Sequence, residues 1–202
     1  MADIDVRHAQ KSDIRDLSRT LGRAFHQDPI MTWMLPDAAV RAKGLPRMFA
    51  TMTRHHFLAG DAVEVATNGS AIGAATLWDP PRRWKQSRLE ELLMMPTFMW
   101  AFRSRVPAAQ EVAEVIKAAH PEEPHWYLSV IGSDPTVRGA GFGQALMRSR
   151  LDRVDAEHAP AYLESTKQET VPYYMRFGFE ATGEIRLPDG GPSMWPMWRA
   201  PR

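Results

Sequence analysis

"VRGAGFGQAL", residues 137–146, sets three glycines at alternate positions behind an arginine and ahead of a helix-like run. So much bare backbone where a helix begins suits an anion. The first N–H groups of a helix have no partner inside it, and the helix dipole adds partial positive charge there. Gly141 and Gly143 carry no Cβ to hold off an oxygen-rich ligand, and Arg138 places a charge beside them. Two common glycine patterns fail. G-x-G-x-x-G begun at Gly139 meets Gln144 where the last glycine belongs, and begun at Gly141 it meets Leu146; no Gly-Lys pair closes a phosphate loop. A plain strand-to-helix turn needs only permissive backbone, and one glycine usually suffices for that. The reading that fits is a nest of backbone N–H groups spanning Gly139, Ala140, Gly141, Phe142 and Gly143, sized for a pyrophosphate.

Outward from the loop, "HWYLSVIG" (125–132) reads as the strand that feeds it, and a helix is expected to run from it to about His158. "AYLEST" (161–166) reads as a short apolar strand and "QETVPYYMRF" (168–177) as a short helix. Two further strands flank "PDGG", with Pro196 placing the last at an edge or a bulge, since proline cannot donate to a ladder. Upstream, residues 3–9 alternate like a strand, and Ser12-Asp13 open a helix with Ile14, Leu17, Leu21 and Ala24 on one stripe. Residues 26–37 read as loop, broken by Pro29 and Pro36, and about 46–58 as helix. Asn68-Gly69 joins 62–67 to 71–78 as a hairpin. Residues 85–119 are helix-forming, with breaks near Pro96 and Pro107. The sum is an α/β (α+β) fold in one domain, 1–202: a mixed, mostly antiparallel central sheet flanked by helices, with a helical insertion at about 85–119 before the strand that feeds the loop.

Composition narrows the chemistry. A formal net charge of +1 leaves no footprint for nucleic acid or an anionic membrane, and the basic stretch "RRWKQSR" (82–88) reads as a solvated helix start. The absence of cysteine excludes disulfides, thiolate metal sites and any acyl-cysteine intermediate. His55-His56 diverge on a helix, so no metal site is expected. A polar start, "MADIDVRHAQ", and no apolar run near the ~20 residues of a bilayer span point to a cytoplasmic protein.

Residues 138–143 resemble the R/Q-x-x-G-x-G/A signature of the GNAT N-acetyltransferases, and "YYMRFGF" (173–179) is similar to that family's Y-x-x-x-G-F segment, with Tyr174 at the tyrosine. "SVIGSDPTVRGAGFGQAL", "AYLEST", "VPYYMRFGF" and "AFHQDPIMTWMLPD" (24–37) together resemble the puromycin N-acetyltransferase-like branch. The resemblance implies acetyl-CoA as cosubstrate, its pantetheine arm on backbone near Ile131, Gly132 and Ser133, its pyrophosphate on residues 138–143, and Tyr174 as general acid. A backbone N–H near Gly132 or Ser133 would polarise the carbonyl. The family often carries asparagine where this chain has Thr170 and Lys167, which become candidate cofactor contacts. Glu164 is the best candidate base, with His26, Asp28, His120, His125 or a water chain as alternatives. The acceptor pocket implied by the family falls on Phe25, His26, Asp28, Trp33 and, from the last strand, Trp195. The expected activity is direct transfer to a primary amine of a small molecule in a ternary complex, by a monomer or homodimer. The alternatives are a silent acyl-CoA sensor and a protein N-terminal or lysine acetyltransferase.

Overall fold

The computed structural model describes residues 4–69 and 71–202, so the expected strand start at Asp3 lies outside the described residues. Among the described residues, eight strands form one sheet in the order β1-β2-β3-β4-β5-β8-β6, with β7 on β8 beside β6. They are β1 (Asp5–His8), β2 (Val63–Asn68), β3 (Ala71–Asp79), β4 (Trp126–Ser133), β5 (Ala161–Ser165), β6 (Glu180–Ala181), β7 (Ile185–Arg186) and β8 (Ser193–Arg199). Every pairing is antiparallel except β4–β5. This is the mixed, mostly antiparallel sheet the sequence implies.

Helices cover both faces. On one lie α1 (Ile14–Ala24) and α3 (Ala38–His55), whose Leu17, Leu21, Leu45, Met48 and Phe49 pack on Val63, Val65, Ala75 and Leu77. On the other lies α6 (Phe142–Ala156), whose Met147, Leu151 and Val154 meet Trp78, Trp126 and Leu128. Strand alternation sorts β2 between them: Val63 and Val65 face α1 and α3, while Glu64 faces α6 and pairs with the buried Arg150 at 3.2 Å.

Four expectations need correction. Residues 26–37 are not all loop: Asp28 caps a short helix, α2 (Pro29–Met34), its Oδ1 accepting from the N–H groups of Ile30 and Met31. Asp-Pro is a sound helix start, because proline at the first helical position has no N–H to leave unsatisfied. The expected helix at about 46–58 begins earlier, at Ala38, capped by Asp37, and passes through Pro46. The insertion is two helices, α4 (Arg88–Phe102) and α5 (Val106–Ala119); α4 runs through Pro96, and the break falls at Arg103, with φ +49°. Pro196, in turn, sits at neither an edge nor a bulge. β8 lies between β5 and the short β6 and β7, and Pro196 falls where those two hand over, so no partner there needs its missing N–H.

Two departures from regular pairing build the site. In the β3–β4 ladder, Leu77 opposes Val130 but Trp78 opposes Leu128, which leaves Ser129 as a bulge. The extra residue reverses the alternation. Trp126 and Leu128 face α6, whereas Val130 faces α1 and α3. Gly132 then lies against α1 so closely that a Cβ would come within 2.9 Å of the Ala24 Cβ. Second, β4 and β5 pair only from Trp126↔Ala161 to Leu128↔Leu163 and then part.

Candidate active site

The parting of β4 and β5 opens a cleft of about 760 Å³. Its walls are Leu128, Ser129, Ile131, Gly132 and Ser133 from β4, Leu163 and Glu164 from β5, the loop after β5, the α1–α2 connection, and the glycine loop. Residues 130–133 of β4 keep β3 on one side, and residues 129–133 have lost β5 on the other, so one row of backbone polar groups faces the cleft.

The glycine loop closes one end. Gly139 (φ +81°) and Gly141 (φ +94°) take the left-handed conformation that side chains disfavour, and Gly141 turns the chain into α6. Ala145 is the first residue to close a helical bond, onto the Gly141 carbonyl at 2.9 Å; among the described residues none accepts from the N–H groups of Gly141, Phe142, Gly143 or Gln144. Ala140 is spent, since its N–H donates to the Val137 carbonyl at 3.2 Å, and it does not line the cleft. The Phe142 side chain is core, packed with Ala66, Ala74 and Leu146, so only its backbone faces an anion. The loop is pinned to α1 twice: Arg138 donates to the Ala24 carbonyl at 3.0 Å, and Arg23 pairs with Asp134 at 2.5 Å.

Of the sequence candidates, Phe25, Asp28, Ile131, Gly132, Ser133, Arg138, Gly139, Gly141, Phe142, Gly143, Glu164, Lys167, Thr170 and Tyr174 line this one cleft. His26, Trp33 and Trp195 do not. The His26 carbonyl accepts from Arg41, Trp33 lies under the Arg105 guanidinium, and Trp195 pairs with Ser165 across the sheet. The Thr170 hydroxyl is engaged with Ser165 at 2.7 Å and the Lys167 carbonyl at 2.9 Å, which fixes the loop after β5.

Side chains set the electrostatics. Tyr174 stands on α7 (Val171–Met175), and burial, with Tyr173 and Asp28 adding, pushes its phenol well above the ordinary range. Burial also raises Asp28, against the hydrogen bond from Thr166 (2.5 Å to Oδ2), the N–H groups of α2 and the charge of Lys167. Among the lining residues that the sequence candidates omit are Thr166, Ser129, Tyr173 and Arg176. Thr166 and Ser129 gave no signal, because one acts through a contact 138 positions away and the other through a bulge. Tyr173 was overshadowed by Tyr174; burial lifts its phenol to about 12, and its hydroxyl is buried without a partner. Arg176 lies over the Tyr173 ring at 5.1 Å and, with Arg138 and Lys167, brings the lining cations to three.

A model of the acetyltransferase (GNAT) family matches residues 28–179, most of the chain and both halves of this cleft. The chain belongs to that family. An uncharacterised N-acetyltransferase of Schizosaccharomyces pombe is 24% identical over 195 residues, covering 90% of this chain and 76% of the relative. A crystal structure described as histone acetyltransferase HPA2 and related acetyltransferase, from Corynebacterium glutamicum, is 26% identical with a TM-score of 0.76, covering 98% and 97% of the two chains. A polyamine N-acetyltransferase of Drosophila melanogaster shares the fold at 17% identity and a TM-score of 0.54, covering 98% and 100%. As a GNAT acetyltransferase the chain is an acyltransferase enzyme, and its family uses acetyl-CoA.

The residues present fit that cosubstrate. The free N–H groups of 141–144 and the cations Arg138, Lys167 and Arg176 suit phosphate oxygens. The unpartnered row of β4 suits an arm of amides. At Gly143 a Cβ would sit 3.2 Å from the buried, unpartnered Tyr173 hydroxyl, so the missing side chain leaves room for that hydroxyl beside the nest.

Proposed function

We propose that this GNAT enzyme transfers an acetyl group from acetyl-CoA directly to the primary amine of a small molecule, with both substrates in the cleft at once. The observation that carries the reading is the continuity of that cleft: the N–H nest, the released strand, Tyr174 and Glu164 line a single space. A chain without cysteine has no thiol on which to park the acetyl group, which favours direct attack. When bound, acetyl-CoA supplies an activated thioester carbonyl.

The chain's own residues do the rest. The β4 backbone at 129–133 orients the amide arm, and Arg138, Lys167, Arg176 and the nest hold the phosphates. Tyr174 keeps its proton at every working pH and holds it for the departing sulfur. At the other end Phe25, Leu128 and Leu163 give apolar walls, while Asp28 and Glu164 give negative charge, a lining suited to a hydrophobic amine that arrives as ammonium. Glu164 is the proton acceptor.

A thiol-release assay tests this with purified protein, acetyl-CoA and a panel of polyamines, arylalkylamines and a lysine-containing peptide. Small amines are expected to release thiol and the peptide not to. Turnover of the peptide alone would move the acceptor to protein, and release from no acceptor would defeat the reading.

A further inference from the structure

Behind Glu164 lies a buried row of polar side chains that the fold does not need for packing alone. The Glu164 side chain is 3% exposed. Its Oε2 accepts from the Tyr127 hydroxyl at 2.8 Å, while its Oε1 has no hydrogen bond. The nitrogen facing Oε1 is Nδ1 of His120, at 3.7 Å. His120 follows α5; its ring stacks on Trp84, with centroids 3.8 Å apart, and meets Tyr127 and Tyr162 edge-on. Its Nε2 lies 3.0 Å from Nε2 of His125, and Nδ1 of His125 lies 2.5 Å from the carbonyl of Glu123.

The protons in this row can be counted. A carbonyl only accepts, so Nδ1 of His125 carries hydrogen. Burial lowers the pKa of His125, which keeps the ring neutral and leaves its Nε2 a bare acceptor. His120 must therefore donate from Nε2. A neutral His120 then presents a bare Nδ1 to the bare Oε1 of Glu164. Tyr127 has spent its hydrogen on Oε2. Oε1 and the bare Nδ1 then face each other at 3.7 Å with no hydrogen between them, the buried Tyr162 hydroxyl beside Glu164 is a donor still without a partner, and Glu164 lines the cleft.

We propose that Glu164 and His120 form a paired base that receives one proton from the ammonium of the acceptor, with His125 as the positioning residue that fixes the tautomer of His120. The inference rests on the amine acetyltransferase reading above. In the step, an N–H bond of the ammonium breaks, its electron pair stays on nitrogen, and the proton passes to the Glu164 carboxylate, where an approach of Nδ1 closer than the present 3.7 Å lets it bridge the two; the pair goes from a net charge of −1 to 0. Uptake in advance blocks the base, so activity falls as pH drops through the pair's titration. The ionisable groups facing His120 are Glu164 and Tyr162 from β5, Tyr127 from β4, His125 ahead of it, and Asp79 from β3, with His56 and Arg83 acting on Asp79 in turn.

Two measurements test it. Nitrogen NMR of histidine-labelled wild-type protein needs no acceptor: near pH 8 His120 is expected as the Nε2–H tautomer, and Glu164→Gln should lower its titration midpoint by about one unit, a tenfold change in proton affinity. An Nδ1–H tautomer, or a midpoint indifferent to Glu164→Gln, overturns the pairing. In the second arm, His120→Gln keeps an amide near Nε2 and deletes Nδ1. With an amine that the panel turns over, the acid limb of kcat/KM should move down toward the carboxylate range and kcat should drop about tenfold, with KM for acetyl-CoA unchanged. An unmoved limb overturns the proposal. If no amine is turned over while the NMR coupling is present, the acceptor reading fails and the paired titration stands. If amines are turned over without the coupling, only the pair fails.

Discussion

At one end of the cleft, consecutive residues from Arg138 to Gly143 offer an anion mostly main-chain N–H groups; at the other, Glu164 offers a side chain, backed by Tyr127, His120 and His125 from a stretch about forty residues earlier in the chain. The first end depends on backbone conformation, so it tolerates exchange of side chains that leave φ and ψ alone. The second depends on single atoms, so isosteric swaps disable it while leaving the fold in place. On the proposed reading, binding and proton transfer are separable, and the substitutions in the cleft below should damage one function and spare the other.

The largest effect is expected from Tyr174→Phe, which removes the proton that the proposed mechanism assigns to the leaving sulfur. Its kcat should fall about 100-fold, while coenzyme A affinity measured by calorimetry stays within about twofold. A parallel loss of affinity would assign the hydroxyl to the anion end. Next, Gly141→Val forces a branched side chain into φ +94° and spoils the entry to α6. Strain of ~1–3 kcal/mol is enough to weaken coenzyme A binding about tenfold or more. Unchanged uptake by a folded variant would remove the nest from the account.

Asp28→Asn keeps an oxygen to cap α2 and deletes the charge. The KM of a cationic amine should rise about threefold to tenfold, and that of acetyl-CoA should stay put, in steady-state kinetics. Stability should respond as well. The folded-state pKa of Asp28 lies above its ordinary 3.8, so the wild type loses stability as pH rises from 3.8 through the raised value; Asp28→Asn should flatten that part of the melting-temperature profile. The smallest effect belongs to Glu90, which closes a capping box with Ser87 at the start of α4 and reaches His56 at 3.1 Å. Its pKa falls to about 2, below the ordinary 4.5, so its contribution is complete above 4.5 and is lost as pH falls toward 2. Glu90→Gln should cost ~0.5–2 kcal/mol in neutral denaturation and progressively less as acid is added, with both ends of the cleft unaffected.

The same contrast decides what could be read before folding. The turn into α6 is legible because it rests on local backbone chemistry: glycine spacing states the left-handed conformation at Gly139 and Gly141 directly. The spacing of "YYMRFGF" points to Tyr174, which the fold sets in the cleft, and gives no separate signal for its neighbour Tyr173. Asp28 was picked as a charge, whereas its first task is to cap α2 and hold Thr166. Trp33 and Trp195 fitted an aromatic pocket by type and are used instead for packing beside Arg105 and Ser165. His120 and His125 entered the sequence reading only as two among several possible bases; nothing local relates them to Glu164.

By itself the sequence determined the order of strands and helices, the nest at the start of α6 and the family, because periodicity, capping and glycine spacing act over a few residues. Only the tertiary structure decided that β4 bulges at Ser129 and leaves β5 after Leu128, and so which face Gly132 presents and where the cleft opens. Register and parity across a sheet are set by partners far away in the chain. Only the fold brings the carboxylate of Glu164 and the imidazole of His120 together, with Oε1 and Nδ1 3.7 Å apart.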